Sequence, residues 1–134
     1  MITRNAESKT TQVRLAPTAA APGKARVAVK QSLAACSRDT IEITSLLVSE
    51  LVTNSVCHGH AVLNASVVVR IARNGSYIRI EVVDWGQGFE YRTRARPLDE
   101  MGGWGLHLVD QLSTRWGVER GAPNVVWFEL SDPQ

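Results

Sequence analysis

Apolar residues recur at helical spacing through the first half of the chain and at alternating spacing through much of the second. Ala25, Val29, Leu33 and Cys36 fall on one face. This predicts a helix from Pro22 to Cys36, with the proline in the first turn, where its missing N–H costs nothing. After a break at Ser37 and Arg38, Asp39 reads as an N-cap and Glu42 as its capping-box partner. The helix that follows carries Ile41 and Ile43 and runs into LLVSELVTNSVCHG, Leu46 to Gly59, ended by the glycine. Leu46, Leu47, Val48, Leu51, Val52 and Val56 make that stretch apolar on most sides, the pattern of a buried helix.

Alternation then takes over. Ala65 to Ala72 and Tyr77 to Asp84 are rich in β-branched residues, with Asn74-Gly75 between them as a hairpin signal. Val67, Val69 and Ile71 share one face of the first strand, and Ile78, Ile80 and Val82 one face of the second. A loop rich in arginine follows, from Glu90 to Gly102. Gly103-Trp104-Gly105 opens another helix, with Leu106, Val109 and Leu112 on its apolar face. Arg115 to Arg120 and Val125 to Leu130 read as two strands around a Gly121-Ala122-Pro123-Asn124 turn. Near the front, Gln12 to Ala16 reads as a short edge strand, and the polar residues 1–11 as a frayed, disordered tail. Helices first, then strands with one helix inserted, argue an α+β sandwich. The helices pack on one face of a mixed, mostly antiparallel sheet, in a single domain over residues 12–134.

Composition narrows the function classes. The chain has 134 residues, enough for one sizeable core, and a net charge of +2. That charge is too small to argue for direct nucleic-acid binding or an acidic membrane surface. No apolar run approaches the roughly 20 residues needed to span a bilayer, and the N-terminus lacks the apolar core of a signal peptide. Cys36 and Cys57 have neither metal-ligand spacing nor a disulfide framework, which fits reduced thiols in the cytoplasm.

The chemistry concentrates in three places. Glu50, Asn54 and His58 fall at i, i+4 and i+8 on the buried helix. A carboxylate and an amide there need partners, which a bound metal and its water would supply. The plainer alternative is that Glu50 sits at a helix edge and Asn54 caps a loop. Asp84 closes a strand, where a carboxylate can accept from an exocyclic amino group such as that of adenine. Gly86 and Gly88 beside it permit a sharp turn and the close approach of a flat ring, although Asp and Gly are also ordinary turn residues. Gly102, Gly103 and Gly105 precede a helix, whose free N–H groups form an anion site; a glycine-rich loop is the alternative.

The order of these pieces resembles the GHKL superfamily of ATP-binding domains. ELVTNSVCHG stands as its N box, VVDWGQGF as its first glycine box and GGWGLHLV as its second, and the likeness covers Asp39 to Leu130. The resemblance implies a Bergerat-type fold that binds ATP or ADP with Mg²⁺. Asn54 would hold the metal, Asp84 the adenine, and Gly86, Gly88, Gly103, Gly105 and Leu106 would line the nucleotide. Ser55 departs from the family's usual alanine, and Trp104 is bulky for the second box. Residues 1–38 contain no histidine to serve as the upstream acceptor of a sensor histidine kinase, which argues against that reading.

The chain therefore looks like the free-standing anti-sigma factor serine/threonine kinases, and RWGVERGAPNVVWFEL resembles the close of such regulators. That likeness implies a sigma factor and an anti-anti-sigma protein as partners, a homodimer, and Glu50 as the base that prepares the acceptor hydroxyl. The second hypothesis is a nucleotide-dependent binding module with little turnover. Arg92, Arg94 and Arg96 either keep the loop soluble or reach the γ-phosphate when it closes. His58 reads as structural, and His60 and His107 carry no motif. Trp116 and Trp127 read as core and sheet-edge packing.

Overall fold

The computed structural model describes residues 8–58, 65–85, 103–121 and 123–133. In chain order these form β1 (Ser8–Leu15), α1 (Ala21–Ser32), α2 (Arg38–His58), β2 (Val67–Asn74), β3 (Tyr77–Asp84), α3 (Gly103–Leu112), β4 (Arg115–Glu119) and β5 (Asn124–Ser131). The strands make one sheet in the order β1-β2-β3-β5-β4. Every pairing in it is antiparallel, which agrees with the mostly antiparallel sheet expected and lacks only its mixed part. The return through α3 and β4 brings β5 back against β3 in the opposite direction, which leaves no parallel pair among the described residues.

The period-2 pattern decides the two faces of this sheet. Val13, Val69, Val82, Val126 and Val118 form one continuous row across the strands. Ile71, Ile80, Phe128 and Trp116 form the next. Rows of β-branched and aromatic residues are the packing unit of a sheet. Against them lie Ala25 and Val29 of α1 and Leu33 just beyond it, Leu47, Val48, Leu51 and Val52 of α2, and Leu106 and Val109 of α3, all buried in one core. Each large apolar side chain so buried contributes about 1.5–3 kcal/mol. The result is the α+β two-layer arrangement expected, with helices on one face.

Several boundaries move, each for a local reason. β1 starts at Ser8 rather than Gln12, because Ser8 to Thr11 continue the ladder against Ile71 to Asn74. The residues of the expected tail before Ser8 lie outside the described residues. α1 stops at Ser32, where Leu33 N donates back to Val29 O at 2.9 Å; Leu33 and Cys36 stay buried in the turn beyond it. In the β2–β3 hairpin, Asn74 pairs with Tyr77, so Gly75 takes the first turn position, with a φ of 64° that suits glycine. Asn124 belongs to β5, not to the turn. Leu46 and Leu112, both expected inside, are 42% and 38% exposed.

The cap of α2 is a larger correction. Asp39 lies in the first turn and does not cap it, and Glu42 pairs with Arg38 in an exposed contact at 3.8 Å that is worth little. The cap is Ser37, whose Oγ accepts from Thr40 N at 3.3 Å. Ser37 is held in turn by Asp132, whose Oδ1 accepts from Ser37 N at 3.1 Å and from Ser37 Oγ at 2.9 Å. The carboxylate thus sits where the helix dipole favours negative charge. The Thr40 hydroxyl first, and the Ser37 backbone and hydroxyl with it, hold Asp132 below the usual carboxylate range.

The face of the sheet away from the helices is laced by charge. Glu129 pairs across to Arg79 on one side and Arg115 on the other, at 2.7 and 2.8 Å. Arg115 first, then the Tyr77 hydroxyl and Arg79, lower its pKa from 4.5 to about 2 against the cost of burial. Trp127 lies in the next row, its ring centre 4.2 Å from the Arg79 guanidinium. Trp116 packs on the core as expected; Trp127 instead belongs to this outer row.

Candidate functional site

Several polar residues of helix α2 are satisfied within the helix or by neighbours, although the buried Ser45 hydroxyl has no hydrogen-bond partner among the described residues. Thr44 and Thr53 donate to the carbonyls one turn back, Thr40 O at 2.7 Å and Ser49 O at 2.8 Å, and Ser49 accepts from Arg26 of α1 at 2.7 Å. Near the C-terminal end of this helix Asn54 is 4% exposed and Ser55 beside it is also buried. Glu50, one turn earlier, is half-buried. The motif therefore puts an amide inside the molecule and a carboxylate at the margin of solvent on the same stripe.

Asp84 ends β3. The alternation that sends Ile78, Ile80 and Val82 into the core would turn Asp84 to the same side, and it is 4% exposed. In the ladder it pairs with Asn124, the first residue of β5. The two carboxylate oxygens have separate donors. Ser55 Oγ donates to Oδ2 at 2.9 Å, and Asn124 Nδ2 donates to Oδ1 at 3.2 Å. The other end of the Asn124 amide accepts from Gly121 N at 3.1 Å. With the amide oxygen facing a backbone N–H and the NH₂ facing the carboxylate, the orientation of the amide is fixed by chemistry.

The N-box helix and the strand of the first glycine box thus meet directly, through the residue that follows Asn54. Ser55, Asp84 and Asn124 form a buried, hydrogen-bonded polar group, and Asn54, also buried, directly precedes Ser55 in α2. Such a group is costly in apolar surroundings unless its members are paired, and a site that recognises a polar ligand has reason to keep one. The sequence points to Asn54 and Asp84 as candidates; Ser55 stands out there only as a departure from the family's alanine, and Asn124 reads as a turn residue. The signal for Asn124 was an amide residue at the start of a strand beside the Asp84 strand, which becomes visible once the register is known.

The third motif is placed in part. Gly103 and Gly105 lie in the first turn of α3, which has no acidic residue there to oppose an anion. Leu106 is fully buried in the core, so its side chain supports α3. His58 closes α2 and His107 is half-buried in α3. Gly86, Gly88, Gly102, His60 and the arginines Arg92, Arg94 and Arg96 lie outside the described residues. Among the described residues no three His, Cys, Asp or Glu side chains gather to hold a metal by themselves. A metal whose remaining ligands are nucleotide phosphates and water would not need them, and an amide oxygen such as that of Asn54 is a suitable hard ligand for it. No described helix is long and apolar enough to cross a membrane.

A family model described as a histidine kinase-like ATPase domain matches residues 10–130. No curated protein matches the chain. Among solved structures, the RsbU and RsbW domains of Rv1364c from Mycobacterium tuberculosis match with a TM-score of 0.74 at 21% identity, covering 94% of this chain and 33% of that one. The histidine kinase domain of the Erythrobacter litoralis EL346 blue-light activated histidine kinase matches with a TM-score of 0.57, also at 21% identity, over 84% of this chain and 59% of that one. This chain thus spans a third of the first structure and under two thirds of the second, and at these identities the likeness is one of fold.

Proposed function

The chain belongs to the histidine kinase-like ATPase domain family, and we propose that it is an ATP-dependent anti-sigma factor serine/threonine kinase, which phosphorylates an anti-anti-sigma protein and sequesters a sigma factor. The observation that carries the nucleotide part of this reading is the buried contact between the N-box helix and Asp84 at the end of β3. In this reading Asp84 accepts from the adenine amino group, and Asn54 lends its amide oxygen to Mg²⁺. Gly86 and Gly88 let the base approach, and the α3 start at Gly103 and Gly105 receives the phosphates. Leu106 keeps that helix start in place from the core.

Bound Mg²⁺·ATP would supply the phosphoryl group and neutralise its charge. The part left to the protein is to orient the acceptor hydroxyl and take its proton, and Glu50 is assigned that role. Its half-buried position one turn before Asn54 supports the assignment, since a base must be reachable by an incoming hydroxyl. The RsbW domain in the mycobacterial structure has the same fold, which supports a place in the same kind of regulatory system.

The test follows radiolabelled phosphate from ATP to candidate anti-anti-sigma proteins, for the wild type and Glu50→Gln. The glutamine keeps shape and hydrogen bonding but cannot act as the base. The expected result is near-normal ATP affinity, retained sigma-factor binding, and phosphotransfer reduced by about 10²–10⁴-fold. Transfer by Glu50→Gln at the wild-type rate, or no transfer by the wild type to any candidate, would replace the kinase reading with that of a nucleotide-dependent binding module.

A further inference from the structure

Asp84 is gripped from two sides by residues to which the ATP-site motifs assign nothing. The grip comes from different parts of the chain: Ser55 from α2, and Asn124 from the start of β5, itself tied to the β4–β5 turn through Gly121 N. All three side chains are buried, Ser55 at 6%, Asp84 at 4% and Asn124 at 3% exposure. A carboxylate oxygen pair held this way cannot swing about its terminal torsion without breaking one hydrogen bond or the other. That torsion is otherwise broad and roughly two-fold.

We infer that Ser55 and Asn124 are positioning residues for base recognition, which fix the Asp84 carboxylate so that the site selects 6-aminopurine nucleotides. This rests on the reading of Asp84 as the base-recognition residue. An ionised carboxylate can accept about four hydrogen bonds and donate none. The hydroxyl and the amide NH₂ occupy part of that capacity and fix the direction of the lone pairs that remain. A carboxylate so oriented accepts from an amino group and repels a carbonyl oxygen, which separates adenine from guanine and hypoxanthine. Because Ser55 directly follows Asn54, the same turn of α2 serves the base through one residue and the metal through the next. The hydroxyl at position 55, where the family's usual residue is alanine, thus gives this chain a link between the two halves of the site.

The experiment measures, by calorimetry, the dissociation constants of ATP and of a purine nucleoside triphosphate with hydrogen in place of the 6-amino group. It uses the wild type, Asp84→Ala, Ser55→Ala, Ser55→Thr and Asn124→Ala. The wild type should prefer ATP by about ten-fold or more, the worth of one charge-assisted hydrogen bond, and Asp84→Ala should abolish the preference. Ser55→Ala and Asn124→Ala should each cut the preference by about three-fold or more, mainly by weakening ATP. Ser55→Thr, which keeps the hydroxyl, should restore it. Ser55→Ala places a good helix former in α2 and should fold even if Asn124→Ala does not. If the wild type shows no preference, or Asp84→Ala keeps it, the base-recognition reading of Asp84 fails and this inference with it. If Asp84→Ala loses the preference while Ser55→Ala keeps it whole, or weakens both nucleotides alike, the reading of Asp84 stands and the positioning inference falls.

Discussion

Gly117 shows how tightly single residues are determined here. A Cβ built on it would lie 2.7 Å from Cζ2 of Trp127, inside any ordinary contact. The ring has little room to yield, because the Arg79 guanidinium stacks on it at 4.2 Å and that arginine is anchored to Glu129 at 2.7 Å. Gly117→Ala should therefore act as overpacking and cost about 1–3 kcal/mol in urea unfolding. Trp127→Leu in the same chain should remove most of that added cost. A Gly117→Ala protein as stable as wild type would show that the ring moves freely. At the same scale, the polar group around Asp84 explains why Ser55 and Asn124 could not be assigned from the sequence. Their meaning depends on a partner 29 and 40 positions away, and neither residue type is unusual where it stands.

Among the elements, α2 was legible because its apolar spacing is its own, and the hairpin because glycine follows Asn74 directly. The start of α2 was not, since half of its cap is the Asp132 carboxylate, 95 positions from Ser37. The early residues of β1 gave no period because the β2 ladder, not their own side chains, keeps them extended. The outer row of the sheet carries a prediction at this scale. Glu129 titrates at about 2 in the folded chain against an ordinary value of 4.5, chiefly through Arg115. A depressed carboxylate binds its proton more readily in the unfolded state. Its stabilisation is therefore fully present above the unfolded value and lost as pH falls from about 4.5 towards about 2. Asp132, also lowered, adds in the same direction. The urea midpoint should hold from neutral pH to about 4.5 and then drop, and Glu129→Gln should be less stable at neutral pH and lose less on acidification. An unchanged acid profile in Glu129→Gln would mean that the row contributes nothing.

At the scale of the whole molecule, the outer edge of the sheet and the nucleotide site make separate demands. β1 lies at the sheet edge and carries Lys9 and Arg14, charges of the kind that discourage indiscriminate edge pairing. A homodimer formed there would bring those like charges together by symmetry, so it should strengthen as added salt screens them in light scattering; a monomer at all concentrations, with and without ATP, removes it. The nucleotide reading makes a firmer claim. Its proposed contacts come from α2, β3 and the start of α3, elements that pack in one core and should unfold together. A ligand bound by the folded chain alone stabilises it by mass action, about 2.7 kcal/mol at a hundred-fold excess over the dissociation constant. For a chain of this size that corresponds to roughly 8–12 °C in Tm. ATP with Mg²⁺ should produce such a shift, and GTP a smaller one at equal concentration, because on this reading Asp84 would repel its carbonyl. Asn54→Ala should lose the part of the shift that depends on Mg²⁺ and keep the part that ADP gives without metal. If Asn54→Ala reduces both parts equally, Asn54 supports the fold and the metal must be assigned elsewhere. If no adenine nucleotide moves the Tm of the wild type at any concentration, the nucleotide reading of this polar group is wrong.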